Sequence, residues 1–403
     1  MNQNERWLVA VTAGRWQCHG IQEARAAGLK VLAIDADPNA EGFADADQVL
    51  NVDLSDHEAI IQAVRGLGKN IRGAVSFASE AGMPLAARIR EEFNLPGPRL
   101  ELCRRLLDKA IQREIWTEKG VPGPKWEVFG EAEEALSAIS SFGFPLIIKP
   151  TDSSGSRGVT KIESAEDDLS DAVARAFQFS KSGKIILESY MDGTEFTVEV
   201  FAADGDIHVL AVTEKKKVEG TRGTVACELA TPERPREVVM RIAEAVVAAF
   251  RALGYTEGPG HAEAILKKDG SVGLIEVAGR GGGFMVFEGL VPAVSGVNIA
   301  RLTALQAVGL PVGDITNTEK AAVLRFFPSK PGVLKNISGL EAANLLDGVE
   351  ASSFVQVGDR FSSAAADGDR FGYILSRAKT PLEAQERADK AERLIRFDIE
   401  EIV

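Results

Sequence analysis

The stretch HAEAILKKDGSVGLIEVAGRGGG, residues 261–283, decides the fold prediction. Asp269-Gly270 separates two apolar arms, a pattern that predicts an antiparallel hairpin with a two-residue turn. Counting back along both arms from that turn places Glu263 directly opposite Glu276. Directly opposed side chains share one face, with Cβ atoms about 5 Å apart, and like charges in such a pair are destabilising. The pair therefore predicts a cation or a proton bound between two carboxylates.

The oxygen ligands of this pair favour Mg²⁺, which commonly uses one or two carboxylates together with substrate phosphates. Two solvated glutamates on an open sheet face are the alternative, and a three-residue loop would offset the pair. Arg280 follows Glu276 by four residues and precedes three glycines. A guanidinium at that place predicts a clamp for a phosphoryl or carboxylate group, with a surface ion pair as its alternative.

A second stretch, KPTDSSGSRGV at residues 149–159, predicts an anion-binding loop. The glycines allow close backbone approach or positive φ, and successive N–H groups in such a turn bind anions. A phosphate chain is the expected ligand, although no GK[ST] follows as in a Walker loop. A mobile surface hairpin is the alternative. The candidate residues are Lys149, Ser153, Ser154, Gly155, Ser156, Arg157 and Gly158.

Composition sets the broad limits. The chain has 403 residues, of which 45% are apolar and 26% charged, as expected of a globular protein with two or three domains. A net charge of -13 argues against a nucleic-acid partner. Three widely spaced cysteines give no disulfide or metal spacing and suit a reduced compartment. Because we recognise neither a signal peptide nor a membrane span, we expect a cytoplasmic protein with no membrane partner.

The order of segments predicts an α/β fold. The apolar runs RWLVAVTA, KVLAIDAD and AVSFAS, with a helix between the first two, predict a doubly wound parallel sheet over about residues 1–95. The stretch EFTVEVFAADGDIHVLAVTE alternates on both sides of an Asp-Gly turn and predicts an antiparallel hairpin. A helix is predicted with Thr231 as N-cap, Pro232 at its first position and Gly254 at its end. Short strands and a charged closing helix are expected from about residue 321.

Taken in order, these elements resemble the ATP-grasp superfamily, and within it the carboxylate–amine ligases. The order is a lysine in an early helix, a strand lysine, the glycine loop, a strand glutamate, a hairpin glutamate, then the paired carboxylates and arginine. The resemblance covers nearly the whole chain. It implies a Rossmann-like pre-ATP-grasp domain (1–97), a small lobe with a linker helix (98–190), a large lobe (191–318) and an α+β C-terminal domain (319–403) like that of the L-amino-acid ligase branch.

The resemblance implies a role in nucleotide binding for several positions. Lys109 would reach the ATP phosphates, Lys149 would lie at the α-phosphate and adenine side, and residues 153–158 would fold over the β- and γ-phosphates. Glu195 would hold the ribose hydroxyls. The hinge that hydrogen-bonds adenine would comprise Glu188, Ser189 and Tyr190.

The resemblance also implies Glu263 and Glu276 as ligands of Mg²⁺, or of Mn²⁺ in its place. Arg280 and Lys149 would be the catalytic residues, with Arg280 steadying the transferred phosphoryl group and the acyl phosphate. The sequence departs from the E-x-N-x-R pattern of the family at Ala278, which cannot coordinate a metal. The number of metal ions is therefore open.

Substrate contacts are less visible. Glu80 stands at a predicted strand end and is a candidate for binding a substrate amino group, with a structural role as the alternative. Arg222 and Glu228 are candidate contacts on a lid at residues 215–228, where Gly220 and Gly223 would permit movement. Residues 215–217 are interpreted as a solvated charge run, and His261 as packing near the site.

The implied function is an ATP-dependent ligase that activates a small carboxylate, expected to be an amino acid, as an acyl phosphate and joins it to an amine. A carbamoyl-phosphate-type, carboxylating or glycinamide-forming enzyme is the nearest alternative. An ATP-binding sensor or an inactive scaffold is another alternative, because Ala278 replaces a metal ligand of the family. An NAD(P) dehydrogenase would rest on Asp35, but the first turn lacks G-x-G-x-x-G. The family also suggests a homodimer.

Overall fold

The computed structural model describes residues 5–218, 225–362 and 368–401. Its N-terminal part is a four-stranded parallel sheet in the order β3-β2-β1-β4, which confirms the predicted doubly wound sheet. The apolar runs of β1 and β2 are buried because helices cover both faces of such a sheet. The elements are β1 (Trp7–Val11), α1 (Cys18–Ala26), β2 (Lys30–Asp35), β3 (Gln48–Asn51), α2 (His57–Gly66), β4 (Ile71–Val75) and α3 (Met83–Glu92), with short 3₁₀ turns at Arg15–Gln17 and Glu41–Asp45.

Asp35, the residue behind the dehydrogenase alternative, has a structural role at the end of β2. Its carboxylate accepts hydrogen bonds from the backbone N–H groups of Ala13, at 2.7 Å, and Asp37, at 2.9 Å. Both contacts close loops of its own sheet. This use of the carboxylate accounts for an acidic residue at the strand end without a dinucleotide.

Two helices, α4 (Leu100–Leu107) and α5 (Lys109–Lys119), connect the N-terminal sheet to the rest of the chain. Asp108 separates them and caps α5, since its side chain accepts from the N–H groups of Ala110 and Ile111. Gly120 ends α5 in the left-handed conformation, with φ of 70°. The cap places Lys109 at the first turn of α5.

The small lobe is a four-stranded antiparallel sheet in the order β5-β8-β6-β7, with two helices packed on it. Lys149 lies on β6, and Glu188 lies on the neighbouring β8. The elements are β5 (Trp126–Phe129), α6 (Ala132–Phe142), β6 (Leu146–Pro150), β7 (Thr160–Ile162), α7 (Leu169–Phe179) and β8 (Ile185–Ser189).

The remaining chain builds an eight-stranded sheet in the order β13-β12-β9-β10-β11-β14-β18-β16 and a three-stranded sheet in the order β17-β15-β19. A five-residue π-helical segment, Val286–Leu290, precedes α9. The elements are β9 (Gly193–Ala203), β10 (Asp206–Lys217), β11 (Ala226–Ala230), α8 (Arg236–Leu253), β12 (Gly258–Lys267), β13 (Val272–Ala278), α9 (Val291–Ser295), α10 (Ile299–Ala307), β14 (Ala321–Pro328), β15 (Gly332–Ser338), α11 (Leu340–Asn344), β16 (Val349–Ser353), β17 (Arg360–Phe361), β18 (Arg370–Ala378), α12 (Pro381–Leu394) and β19 (Arg396–Glu400).

Two local predictions for this sheet have different outcomes. Strands β9 and β10 form the predicted hairpin, and Asp204 and Gly205 at its turn both have positive φ, as a type I′ turn requires. Helix α8 ends at Gly254 as predicted but begins at Arg236, so the predicted start was wrong. The hydroxyl of Thr231 instead accepts a hydrogen bond from the N–H of Ala322, which holds this segment beside β14.

The apolar cores join the parts of the chain. One face of the N-terminal sheet packs on α2 and α3 in a separate cluster. Its other face, together with α1, shares one buried cluster with the large sheet and with α9 and α10. No helix within the described ranges is both long and apolar enough to span a membrane.

Candidate active site between the two lobes

The β12–β13 hairpin places Glu263 opposite Glu276, as predicted, but by a different register. The turn holds three residues rather than two, since the N–H of Lys267 bonds to the carbonyl of Ser271. Leu274 consequently pairs with Ala264, one position away from the prediction. A β-bulge at Ile275 then adds one residue to β13 and restores the Glu263–Glu276 pair. Both carboxylates therefore lie on one face of the sheet.

Two lysines neutralise this pair. Nζ of Lys215 lies 2.6 Å from Oε1 of Glu263, and Nζ of Lys109 lies 2.9 Å from Oε2 of Glu276. Burial alone would raise the pKa of both carboxyl groups, but the lysines outweigh it and lower both, Glu263 well below its usual range. Burial likewise opposes the charge of Lys109, yet the carboxylates of Glu276 and Glu80 raise its pKa. The carboxylates are therefore ionised and able to bind a cation.

Lys109 also joins the carboxylate pair to the glycine loop. Its Nζ donates to the carbonyl oxygen of Ser153 at 2.8 Å, and its backbone N–H donates to the carbonyl of Thr151 at 2.8 Å. One side chain thus contacts both the predicted anion-binding loop and Glu276. Residues more than a hundred positions apart in sequence meet here.

The loop between β6 and β7 has the backbone that its glycines predict. Gly155, Ser156 and Gly158 have positive φ, of 64°, 60° and 75°. At Gly158 a Cβ atom would lie 2.9 Å from a side-chain atom of Pro150, so the position requires glycine for space as well. Arg157 turns back on the loop and donates to the carbonyl oxygen of Ser154 at 3.1 Å.

Lys149 and Glu188 are held by an arginine that the sequence analysis did not single out. Oε2 of Glu188 lies 2.8 Å from Nζ of Lys149, and Oε1 accepts from Nε of Arg113 at 2.9 Å. Burial lowers the pKa of Lys149, and the charge of Arg113 adds to that effect. The carboxylate of Glu188 is therefore committed to two cations. Ser189 and Tyr190 follow at the cavity wall, with the ring of Tyr190 4.0 Å from the ammonium of Lys161.

The lysines at 215–217 are not a solvated charge run, so that interpretation was wrong. Lys215 and Lys217 face the cavity and contact the carboxylate of Glu195 at 2.8 and 2.5 Å. Lys216 points to the opposite face, as period-two alternation requires, and pairs with Glu228 at 2.6 Å. Glu228 is buried and also contacts Arg325, so its carboxylate belongs to an ion-pair network rather than to an open lid surface.

A cavity of about 800 Å³ lies between the small lobe and the large sheet. Its walls include most of the residues predicted for a nucleotide and a metal. Those lining it are Lys109, Lys149, Ser153, Ser154, Gly155, Ser156, Glu188, Ser189, Tyr190, Glu195, Glu263 and Glu276, together with Lys215 and Lys217.

Arg280 and Glu80 lie next to this cavity and contact each other. Nη2 of Arg280 is 2.5 Å from Oε1 of Glu80, which connects the loop between β4 and α3 to the glycine-rich turn after β13. Glu80 and Glu199 raise the pKa of Arg280 against the opposing effect of burial. Arg222, another residue predicted to contact substrate, lies outside the described residues, as do Gly220 and Gly223 of the predicted lid.

His261 does more than pack near the site. Its Nδ1 hydrogen-bonds to the buried carboxylate of Glu199, and its Nε2 lies 3.9 Å from Oε1 of Glu263. Burial would lower the pKa of His261, but the carboxylate of Glu199 outweighs it and raises the pKa to about 9. The imidazolium therefore adds a positive charge beside the carboxylate pair, opposite Ala278 in the ladder.

The carboxylate pair fits Mg²⁺ in its chemistry, because ionised oxygen ligands on one sheet face are the donors that this ion prefers. Within the part of the chain that the structure describes, no group of three or more His, Cys, Asp or Glu side chains is arranged to hold a metal ion. The remaining ligands would have to come from phosphate oxygens and water. This is the pattern expected when a cation binds together with a nucleotide.

Comparison with known proteins agrees with this geometry. The family model for the ATP-grasp domain matches residues 142–288, and that for the L-amino acid ligase C-terminal domain 2 matches residues 325–400. The crystal structure of an L-amino acid ligase from Bacillus licheniformis superposes with a TM-score of 0.84 at 23% identity, over 99% of this chain and 100% of that one. That likeness establishes a shared fold.

Two curated relatives are similar in sequence. A phosphoribosylamine–glycine ligase of Pyrococcus abyssi is 24% identical over 98% of this chain and 92% of its own length. A D-alanine–D-alanine ligase of Delftia acidovorans is 29% identical over 39% of this chain and 50% of its own length. The chain therefore contains an ATP-grasp domain at residues 142–288 and a C-terminal domain of the L-amino acid ligase type at residues 325–400.

Proposed function

We propose that this protein is an ADP-forming carboxylate–amine ligase that activates a small carboxylate, an amino acid, as an acyl phosphate and joins it to an amine. The observation that carries the proposal is the position of Lys109 between the carbonyl of Ser153 and the carboxylate of Glu276. It brings an anion-binding loop and a cation-binding pair to one cavity. A triphosphate with its cation is the ligand that satisfies both.

The ligand would enter a site in which the charges are already balanced. Lys109 and Lys215 are paired with Glu276 and Glu263, and Lys217 is paired with Glu195. Bound Mg²⁺ would neutralise the developing charge on the phosphates. If the two carboxylates held a cation, Lys109 and Lys215 would be available to contact phosphate oxygens. The loop N–H groups of residues 153–158 would close over the same oxygens.

The chemistry that remains for the protein is positioning and electrostatics. Lys149, held by Glu188, would lie beside the α-phosphate. Arg280 would contact the phosphoryl group in transfer and the acyl phosphate that results. The amine then attacks the acyl carbon and phosphate leaves. Water has to be excluded during this interval, because it would hydrolyse the intermediate.

The family match of the C-terminal domain restricts the class of carboxylate substrate that we propose. The L-amino acid ligase C-terminal domain at residues 325–400 favours an amino acid as the carboxylate over bicarbonate. Glu80, beside Arg280, supports a contact with the substrate amino group. A glycinamide-forming enzyme is the second candidate, favoured by the full-length similarity to phosphoribosylamine–glycine ligase. A cytoplasmic location and a homodimer are further proposals.

The test is the release of ADP and phosphate from ATP and Mg²⁺ with the twenty amino acids supplied in pairs. We expect at least one pair to stimulate turnover and to yield a dipeptide. Glu263→Gln should abolish it, whereas Asp269→Asn, at the exposed tip of the same hairpin, should not. Stimulation by phosphoribosylamine with glycine would assign the second candidate, whereas stimulation by bicarbonate would indicate a carboxylating or carbamoyl-phosphate-type enzyme and contradict both. Tight ATP binding with no turnover for any acceptor would indicate a sensor and contradict the proposal.

A further inference from the structure

We propose that Arg113 is a positioning residue of the nucleotide site that fixes the strand lysine and the carboxylate pair with a single guanidinium. The inference rests on the proposed function. Arg113 lies on α5, one turn after Lys109, and its side chain is 2% exposed. It reaches two elements that belong to different lobes.

The first contact of Arg113 holds the small lobe. Its Nε and Nη2 lie 2.9 and 2.8 Å from Oε1 of Glu188. The other oxygen of Glu188 contacts Lys149 at 2.8 Å. The position of the Lys149 ammonium therefore depends on a carboxylate that Arg113 holds from its other side.

The second contact holds the bulge in β13. Nη2 of Arg113 donates to the carbonyl oxygen of Ile275 at 2.5 Å. Without the extra residue, the ladder that pairs Leu274 with Ala264 would continue with Ile275 opposite Glu263. A one-residue slip moves every following side chain to the other face. Glu276 would then point away from Glu263, so the carboxylate pair depends on the bulge that Arg113 contacts.

The remainder of this strand edge has a neutral partner. The amide of Gln112 donates to the carbonyl of Val277 at 2.8 Å and accepts from its N–H at 3.2 Å. Gln112 thus completes the ladder of the edge strand in the way that backbone would. At Ile275 the strand edge lies beside the carboxylate of Glu188, and the guanidinium of Arg113 contacts both.

The energetics also favour a role beyond stability. Nη1 of Arg113 is buried and has no hydrogen-bond partner among the atoms of the described residues. An unsatisfied buried donor is destabilising, and a buried ion pair is often no more stabilising than an apolar replacement. The fork of an arginine is nevertheless required to reach two acceptors at fixed angles, which lysine cannot do.

The test is calorimetric titration with ADP, once with Mg²⁺ and once with EDTA. Arg113→Lys keeps a positive charge beside Glu188 but loses the second donor to Ile275. We expect the gain in ADP affinity from Mg²⁺ to fall about tenfold to a hundredfold, as for a misplaced ligand group, and the affinity in EDTA to change less than about threefold. A role in stability alone would lower the unfolding temperature and leave the Mg²⁺ gain intact.

Arg113→Gln is the complementary variant. Its amide can donate to Ile275 but leaves Glu188 with one cation fewer, so the affinity in EDTA should fall more than the Mg²⁺ gain. Arg90→Lys is the matched control, since Arg90 is also buried and donates to the carbonyls of Ala74 and Pro98 away from the site.

If folded Arg113→Lys gains as much ADP affinity from Mg²⁺ as the wild-type protein does, the inference is wrong. If that variant does not fold, an unchanged affinity of Arg113→Gln in EDTA overturns it instead. Absence of ADP binding by the wild-type protein is a different result, because it refutes the proposed function and the positioning role together.

Discussion

Lys215→Met tests how the carboxylate pair is stabilised before a ligand binds. The lysine ammonium lies 2.6 Å from Glu263 and 2.8 Å from Glu195, and its side chain is 9% exposed. Removing one partner of a buried ion pair leaves the other charge uncompensated and is destabilising by about 3–5 kcal/mol. We therefore expect the free energy of unfolding to fall by that amount in EDTA, measured by urea denaturation near neutral pH.

Mg²⁺ should reverse part of this loss. In the wild-type protein a cation has to displace lysines from both carboxylates, whereas in Lys215→Met one carboxylate is already without its lysine. A ligand that binds only the folded state at about 100 times its Kd adds roughly 2.7 kcal/mol of stability. Saturating Mg²⁺ should accordingly stabilise Lys215→Met by about 2–3 kcal/mol, and the wild-type protein by less than about 1 kcal/mol in the absence of nucleotide.

Lys268→Met is the matched control, since Lys268, in the turn between β12 and β13, pairs with Asp192, and both side chains are more than half exposed. Exposed pairs contribute about 0–1 kcal/mol, so this variant should keep its stability and its response to Mg²⁺. Equal stability of Lys215→Met and the wild-type protein in EDTA would refute the reasoning. So would a Mg²⁺ response that does not differ between them.

The other predictions concern the core, the loop and the C-terminal domain. Burial and the neighbouring carboxylate of Glu350 raise the pKa of Glu288 from 4.5 to about 7. The contribution of protonated Glu288 to the free energy of unfolding is therefore complete below the pKa of the unfolded state and is lost as the pH rises through the pKa of the folded state. The free energy of unfolding of Glu288→Gln should thus equal that of the wild-type protein near about pH 4 and exceed it by about 3 kcal/mol near about pH 8, which unfolding curves at both pH values would measure. Gly158→Ala, whose Cβ would meet a side-chain atom at 2.9 Å, should raise the KM for ATP about tenfold or more. Gly155→Ala, with nothing within 4 Å, should have the smaller effect in the same assay, and equal effects would contradict the steric argument. Arg325→Met removes a guanidinium that contacts three carboxylates and should destabilise the protein by about 3 kcal/mol, whereas an unchanged thermal unfolding midpoint would contradict this estimate.

Local patterns predicted the elements better than their registers. The two-residue turn at Asp204-Gly205, the apolar strands and the glycine that ends α8 each follow from short-range chemistry, and the structure has them. The β12–β13 hairpin shows that a register cannot be predicted reliably by counting residue pairs back from the turn. A three-residue turn and a bulge at Ile275 are two departures from the assumed ladder, and because they cancel, the predicted pair is correct although the intervening pairs are not.

The residues that the sequence analysis missed depend on such departures. A bulge between Val209 and Ala211 shifts β10 by one position, so that Lys215 rather than Glu214 comes to lie beside Glu195. A bulge leaves no signature in the apolar alternation, and the lysine run therefore looks solvated. Arg113 had a readable signal, since it stands four residues after Lys109 on the same helical face. Its two acceptors, however, are supplied by strands that only the tertiary fold brings together.

The course of the eight-stranded sheet has a consequence for attempts to divide the protein. Strand β14 pairs with β11 on one side and with β18 on the other, through Glu228 opposite Arg325 and then Arg325 opposite Ile374. Cutting the chain before β14, at residue 321, would leave β11 with an unpaired row of N–H and C=O groups, and open edges of this kind recruit other chains. A truncated ATP-grasp half would accordingly be expected to aggregate, and gene fusions or domain exchanges within this branch should succeed only if the donor supplies a strand that continues the same ladder.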